Sequence, residues 1–91
     1  MSFRITYHYL VVARDIPRLA VLWREKVRCA IEEKLTTNPD LYGKPLRRSL
    51  AGYRKLRVGD YRVIFRIEGS VVKVFLIEHR SVAYKEIDRR L

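Results

Sequence analysis

The sequence predicts an α+β fold in which helices pack on one face of a small antiparallel sheet. Three observations predict it. The chain opens on FRITYHYLVV (residues 3–12), where β-branched and aromatic residues put Phe3, Ile5, Tyr7 and Tyr9 on one face of a strand. Apolar residues then recur at helical spacing: Leu19, Trp23, Val27, Ala30, Ile31 and Leu35. From residue 53 onward come YRKLRV, YRVIFRI and VVKVFLI, three strand-like runs punctuated by Gly59-Asp60 and Glu68-Gly69, a three-stranded antiparallel meander.

Each element has a local reason. Asp15 is placed as an N-cap, with Pro17 inside the first helical turn. The apolar stripe runs to about residue 36, and two helices with a break near residues 20–22 fit it as well as one long kinked helix. TTNPD ends the helix, because Pro39 disfavours helical geometry at the residue before it. LYGKPLRRSLAG (residues 41–52) reads as a Gly- and Pro-punctuated loop. At the C-terminal end, SVAYKEIDRRL places Tyr84, Ile87 and Leu91 at i, i+3 and i+7, a short amphipathic helix. Ninety-one residues make one domain, 1–91, without repeats or low-complexity tracts.

Charge says what the domain meets. Lys and Arg number 20 against 10 Asp and Glu, giving +10 and an isoelectric point near 10.3. The excess is uneven: residues 1–42 carry seven basic and five acidic side chains, residues 43–91 thirteen and five. A polyanionic partner on the C-terminal half is expected. One cysteine, Cys29, allows no internal disulfide, and no signal peptide or membrane-length apolar run precedes or interrupts the strands; a cytoplasmic protein is expected. The basic residues sit on strands and not along an amphipathic basic helix, which argues against a membrane surface. Neither histidine has a second ligand at metal spacing, and no Gly-rich phosphate loop is present, so neither a metal nor a cofactor is expected.

If Gly59-Asp60 is a two-residue hairpin loop, Val58 faces Tyr61, Arg57 faces Arg62, Leu56 faces Val63 and Lys55 faces Ile64. Alternation then puts Leu56, Val58, Tyr61, Val63 and Phe65 on the core face and gathers Lys55, Arg57 and Arg62 on the other. Carried into the next strand, the same register brings Phe75 near Arg62 and Lys73 near Ile64. A charge run is ordinarily a solvated face. Here, however, Arg57 opposite Arg62 destabilises the sheet unless an anion lies between them. The nearby carboxylates Asp60 and Glu68 sit at the turns. Converging cations with planar donors suit a phosphate.

The segments LAGYRKLRVGDYRVIFRI (residues 50–67) and IEHRSVAY (residues 77–84), preceded by RDIPRL, a helix ending in NP, and GKPLRRSL, resemble the RelE/ParE superfamily of toxins. The resemblance covers essentially the whole chain. It implies a RelE-like fold and a toxin held in check by a cognate, acidic, RelB-like antitoxin, through which the complex would bind operator DNA. In the RelE branch the activity is metal-independent, ribosome-dependent cleavage of mRNA in the A site. In the ParE branch the target is DNA gyrase, and the basic cluster and terminal tyrosine are lacking. This chain carries Lys55, Arg62, Arg80 and Tyr84 at the matching positions, which implies the ribonuclease branch. It departs in having Tyr53 where the best-known member has a second lysine, and His79 thereby becomes a further acid–base candidate, as in YoeB-like toxins. The resemblance thus implies Tyr84 as general base, Arg62 on the phosphate oxygens, and Lys55 with Arg80 at the developing charge and leaving group. Lys44, Arg47, Arg48, Tyr53, Arg54 and Arg57 are assigned to RNA and ribosome docking. A gyrase inhibitor and an inactive ribosome-binding homologue are the alternatives.

Overall fold

The computed structural model describes residues 2–91. Strand β1 is Arg4–Tyr7, shorter than the strand expected over residues 3–12. The chain turns helical at residue 9, where His8 Nδ1 accepts the Leu10 N–H at 3.1 Å. Helix α1 covers residues 9–18, with a π-helical turn over Val11–Asp15. Val11 and Asp15 are both buried four residues apart, so a helical face and not strand alternation governs LVV. Asp15 is therefore no N-cap: its side chain makes no cap bond and is enclosed.

Leu19 and Ala20 are extended (ψ 137° and 151°), which ends α1 and separates it from α2, residues 21–35. The two-helix alternative is the observed one. Val27, Ile31 and Leu35 form the buried stripe of α2 at i, i+4 and i+8. The hydroxyls of Thr36 and Thr37 donate to the carbonyls of Glu32 and Glu33 at its end. Asn38 leaves the helical region (φ −135°, ψ 63°), and Pro39 then opens the short α3, Pro39–Tyr42.

The sheet has five strands in the order β1-β5-β4-β3-β2, with β2 Lys44–Pro45, β3 Arg54–Val58, β4 Tyr61–Glu68 and β5 Val71–His79. β1 runs parallel to β5 and the other pairs are antiparallel. The β3–β4 register is the expected one throughout, from Val58–Tyr61 to Lys55–Ile64. The β4–β5 register is not. Ile64 pairs with Leu76 and Phe65 with Val74, leaving Phe75 as the extra residue of a bulge. The hairpin turn falls at Gly69-Ser70, one residue later than Glu68-Gly69, which by itself puts Lys73 opposite Arg66 instead of Ile64. Turn and bulge together put Glu78, not Phe75, opposite Arg62.

The sheet is packed on both faces. On one, Leu56, Val63, Phe65, Val72, Val74 and Ile77 meet Val11, Leu19, Val27, Ile31 and Leu35. On the other, Ile64, Phe75 and Leu76 lie under Ala83 and Ile87 of α4, Ala83–Arg90. The bulge turns both Phe75 and Leu76 to this second face. Helices on one face only is thus corrected: α4 covers part of the second. Its buried side is Ala83, Ile87 and the Arg90 side chain, while Tyr84 and Leu91 are exposed. No helix of the described residues is long and apolar enough to cross a membrane.

The β3–β4 turn depends on Gly59. Its φ is +57°, and a Cβ there would lie 2.5 and 2.8 Å from Trp23 Cη2 and Cζ3. Trp23, half-buried, also packs on Tyr61 with ring centroids 5.0 Å apart. Gly59→Ala combines a left-handed backbone with this clash, and about 1–3 kcal/mol of destabilisation is expected. A urea midpoint unchanged from wild type would contradict it.

Candidate active site on the second sheet face

The β3–β4 hairpin delivers Lys55, Arg57 and Arg62 to the face that α4 partly covers. Arg57 and Arg62 are directly opposite, as alternation requires, and Lys44 of β2 is directly opposite Lys55. Like charges so placed repel. Arg62 answers by folding back on the turn: its guanidinium, only 8% exposed as a residue, donates through Nη1 to the carbonyls of Gly59 and Tyr61, each at 2.9 Å. Its Nε and Nη2 make no hydrogen bond among the described residues, so a pre-oriented edge of donors remains for a ligand. Glu78 does not neutralise it. The Glu78 carboxylate accepts the His79 N–H at 3.2 Å and forms no ion pair with Arg62.

Tyr84 stands in the first turn of α4, and Ala83 and Ile87 seat that helix on Ile64, Phe75 and Leu76. Lys55 Nζ donates to the Tyr84 hydroxyl oxygen at 2.8 Å and lies 5.3 Å from its ring centroid. Tyr84 is 38% exposed, open to a substrate. Beside the hairpin turn, Arg80 is exposed, with Nε 3.7 Å from Asp60 Oδ1, and its N–H donates to the Asp60 carbonyl at 2.8 Å. His79 closes β5, its Nδ1 2.8 Å from Ser81 Oγ and its ring 5.6 Å from Tyr61. His79 and Arg80 are thereby fixed at the same end of the sheet as Arg57 and Arg62.

The remaining expected residues divide. Lys44, Arg47, Arg48 and Arg57 are exposed, and with Lys55 and Arg62 they form no ion pair among the described residues. Tyr53 is half-buried, edge-on to Phe75 at 5.3 Å with the Arg66 guanidinium 5.6 Å from its ring. Arg54 is not brought to this face. It pairs with Phe65 and donates to the carbonyls of Gly43 (2.9 Å) and Asp40 (3.2 Å), tying β3 to the end of α3. A groove of about 300 Å³ between α1 and α2 lies apart from these cations and is mainly apolar, lined by Tyr7, Val12, Leu19, Val27 and Ile31. No group of His, Cys, Asp or Glu side chains suited to hold a metal occurs among the described residues.

Sequence reasoning missed Glu78 because the later turn and the bulge together shifted its row, and missed Asp15 and Arg90 as partners because they are remote in sequence. The helical spacing of Asp15 from Val11 is the one local signal that could have exposed its burial. Partial burial, together with the nearby charges of Arg90 and Lys73, lowers the His8 pKa, consistent with the neutral Nδ1 acceptor seen there.

The site thus belongs to a small α+β domain in which Lys44, Arg47, Arg48, Lys55, Arg57 and Arg62 form no ion pair among the described residues. A tyrosine is delivered onto a lysine, and the arrangement is suited to meeting an anion. Comparison makes the class specific. Residues 3–84 match the family described as the ParE toxin of type II toxin–antitoxin systems, parDE. Toxin RelE of Mycobacterium tuberculosis is 38% identical over 94 residues, covering 93% of this chain and 93% of its own. Toxin RelG of the same organism is 42% identical over 53 residues, 56% of this chain and 61% of its own. A chain of the RelBE2 toxin–antitoxin complex from M. tuberculosis superposes with a TM-score of 0.77 at 28% identity, covering 88% of this chain and 100% of that one. The RelB–RelE complex of Methanococcus jannaschii supplies the same fold at TM-score 0.67 and 23% identity, over 86% of this chain and 93% of that one. The chain belongs to the ParE toxin family of type II toxin–antitoxin systems, and its fold is RelE-like.

Proposed function

We propose that this toxin is a ribosome-dependent endoribonuclease that cuts mRNA in the A site. The observation that carries the reading is the 2.8 Å contact of Lys55 Nζ with the Tyr84 hydroxyl, on the face where Arg62 holds free donors. Its similarity to toxins named RelE and RelG supports it. In the reaction, Tyr84 acts as its phenolate and takes the proton of a ribose 2′-OH, becoming the neutral phenol. The 2′-oxygen bonds to the adjacent phosphorus and the bond from phosphorus to the 5′-oxygen breaks, leaving a 2′,3′-cyclic phosphate and a 5′-OH. Arg62 binds the equatorial oxygens, which gain charge in the transition state. Lys55 and Arg80 stabilise that charge, and Lys55 gives the leaving 5′-oxygen its proton. No step needs a metal. An exposed tyrosine with a single ammonium partner is a modest base, so the ribosome contributes by holding the message in line, an effect worth several kcal/mol. Free RNA is then cut slowly.

The partner that restrains this face is a cognate antitoxin, as in the RelBE2 and RelB–RelE complexes that this chain resembles. With Lys44, Arg47, Arg48, Lys55 and Arg57 unpaired, an acidic segment complements it. Arg47, Arg48 and Arg57 also dock ribosomal RNA, with the salt dependence of phosphate contacts.

The test is primer extension on a defined message in a translating extract. Cuts within A-site codons that vanish when ribosomes are omitted are expected. Intact message would overturn the reading. The family description itself names ParE, and intact message with damaged DNA in intoxicated cells would support gyrase as the target instead. Within the ribonuclease reading, Arg62→Ala is expected to slow single-turnover cleavage by about 10²-fold, the usual effect of removing one transition-state donor. A rate within about twofold of wild type would remove Arg62 from the site.

A further inference from the structure

Asp15 and Arg90 stand 75 residues apart in sequence and outside the cationic cluster. Their side chains are the most enclosed charges described, 0% and 1% exposed. Arg90 Nη1 donates to Asp15 Oδ2 at 2.6 Å and Nη2 to Oδ1 at 3.1 Å, a bidentate fork. Both partners also hold the last strand. Asp15 Oδ2 accepts the Ile77 N–H at 3.0 Å, and Arg90 Nη1 donates to the carbonyl of Phe75, the bulge residue, at 3.0 Å. One turn back along α4, Glu86 lies 3.5 Å from Arg90 and 3.4 Å from Arg14 of α1. Helix α1, the β5 bulge and helix α4 meet at this point.

Stability alone does not account for such a pair, because apolar residues of similar volume stabilise a core as well or better. The pair is also incompletely satisfied: Arg90 Nε is the one buried side-chain polar atom without a partner among the described residues. Burial disfavours the charged guanidinium of Arg90, but the hydrogen bond and field of Asp15, with Glu86 and Glu78 behind, raise its pKa above the ordinary value. What the fork adds is direction. The apolar footing of α4 is Ala83 and Ile87, and apolar burial is non-directional. Successive helical residues are turned by about 100°, so a slip of one residue would carry Tyr84 off Lys55.

We propose that the Asp15–Arg90 fork is the positioning device of the active site, setting the rotation and depth of α4 so that the Tyr84 hydroxyl stands against Lys55. Its kinetic consequence rests on the ribonuclease reading; its geometric consequence does not. Neither residue touches RNA.

Two variants test it. Asp15→Asn keeps the size and an acceptor for the Ile77 N–H while removing the charge. The double replacement Asp15→Leu with Arg90→Met fills the same volume with apolar atoms and guards against unfolding from an isolated buried charge. The readouts are amide hydrogen exchange, ribosome co-sedimentation, and single-turnover cleavage at saturating ribosomes. In both variants α4 amides are expected to exchange about tenfold faster or more while β3 and β4 stay protected. Cleavage falls by about 10²-fold, the scale of an ångström-sized misplacement, with ribosome affinity unchanged. Arg90→Lys, which keeps one charged contact, recovers part of the rate. A double variant with α4 still protected and cleavage at the wild-type rate would overturn the proposal, since packing alone would then place Tyr84. Parallel loss of ribosome affinity and rate would also overturn it, making the pair a general structural element. Wild-type protein that leaves message intact would defeat the ribonuclease reading, and α4 exchange would still decide the geometric claim.

Discussion

Tyr84→Phe is expected to reduce A-site cleavage by about 10²- to 10⁴-fold, the usual contribution of a general base. Only the hydroxyl is removed. The ring keeps its place beside Lys55, whose Nζ lies 5.3 Å from the ring centroid, and the residue is exposed. The bond lost from Lys55 Nζ is worth at most about 1–3 kcal/mol, and less at so exposed a position. Thermal stability and ribosome binding should therefore match wild type, and the loss should fall on the chemical step. Single-turnover cleavage with saturating ribosomes reads that step directly. If Tyr84→Phe cleaved at the wild-type rate, the proton acceptor would lie elsewhere, and His79→Gln would be the variant to measure next. His79 is held by Ser81 at the same end of the sheet, although its pairing with Tyr61 puts it on the face opposite Arg62.

The largest stability loss is expected at Phe65. Its side chain is fully buried in the cluster shared with Leu35, Val63 and Val74. Its ring tip reaches Gly43 at the end of α3, where no Cβ stands in the way. Phe65→Ala should cost about 3–5 kcal/mol through lost transfer energy and the cavity left behind. Small domains have only about 5–15 kcal/mol in total. Each kcal/mol lowers the melting temperature of a domain this size by about 4–8 °C. Urea denaturation monitored through Trp23 reads the loss. A cost below about 1 kcal/mol would mean that α3 and the sheet collapse onto the vacated space, against the observed packing. Phe65 lies three residues beyond Arg62 on β4, so partial unfolding here would also loosen the site.

Much of the fold was legible because its signals are local. The two-residue turn at Gly59-Asp60 and the period of two set the β3–β4 register residue by residue, and with it the placing of Lys55, Arg57 and Arg62 on one face. The stripe from Leu19 to Leu35 located α2 for the same reason. Where local signals conflict, tertiary context decided. LVV after His8 suits a strand by propensity, yet burial of Val11 and Asp15 on one side makes it helical. Tyr84, Ile87 and Leu91 match a helical stripe, yet Ala83 and Ile87 are the residues that pack, which leaves Tyr84 free to meet Lys55.

By itself the sequence determined the α+β class, the hairpin that carries the cations, and the residue types available on its face. Each of these rests on periodicity, turn residues and charge within a short window. The tertiary structure alone decided the Phe75 bulge, the opposition of Glu78 to Arg62, the tie of Arg54 to the end of α3, and the joining of α1 to α4 by the Asp15–Arg90 fork. Those features join groups as far as 75 residues apart. Their energies depend on burial and on the geometry of partners that no local pattern records, so only the folded chain could select them.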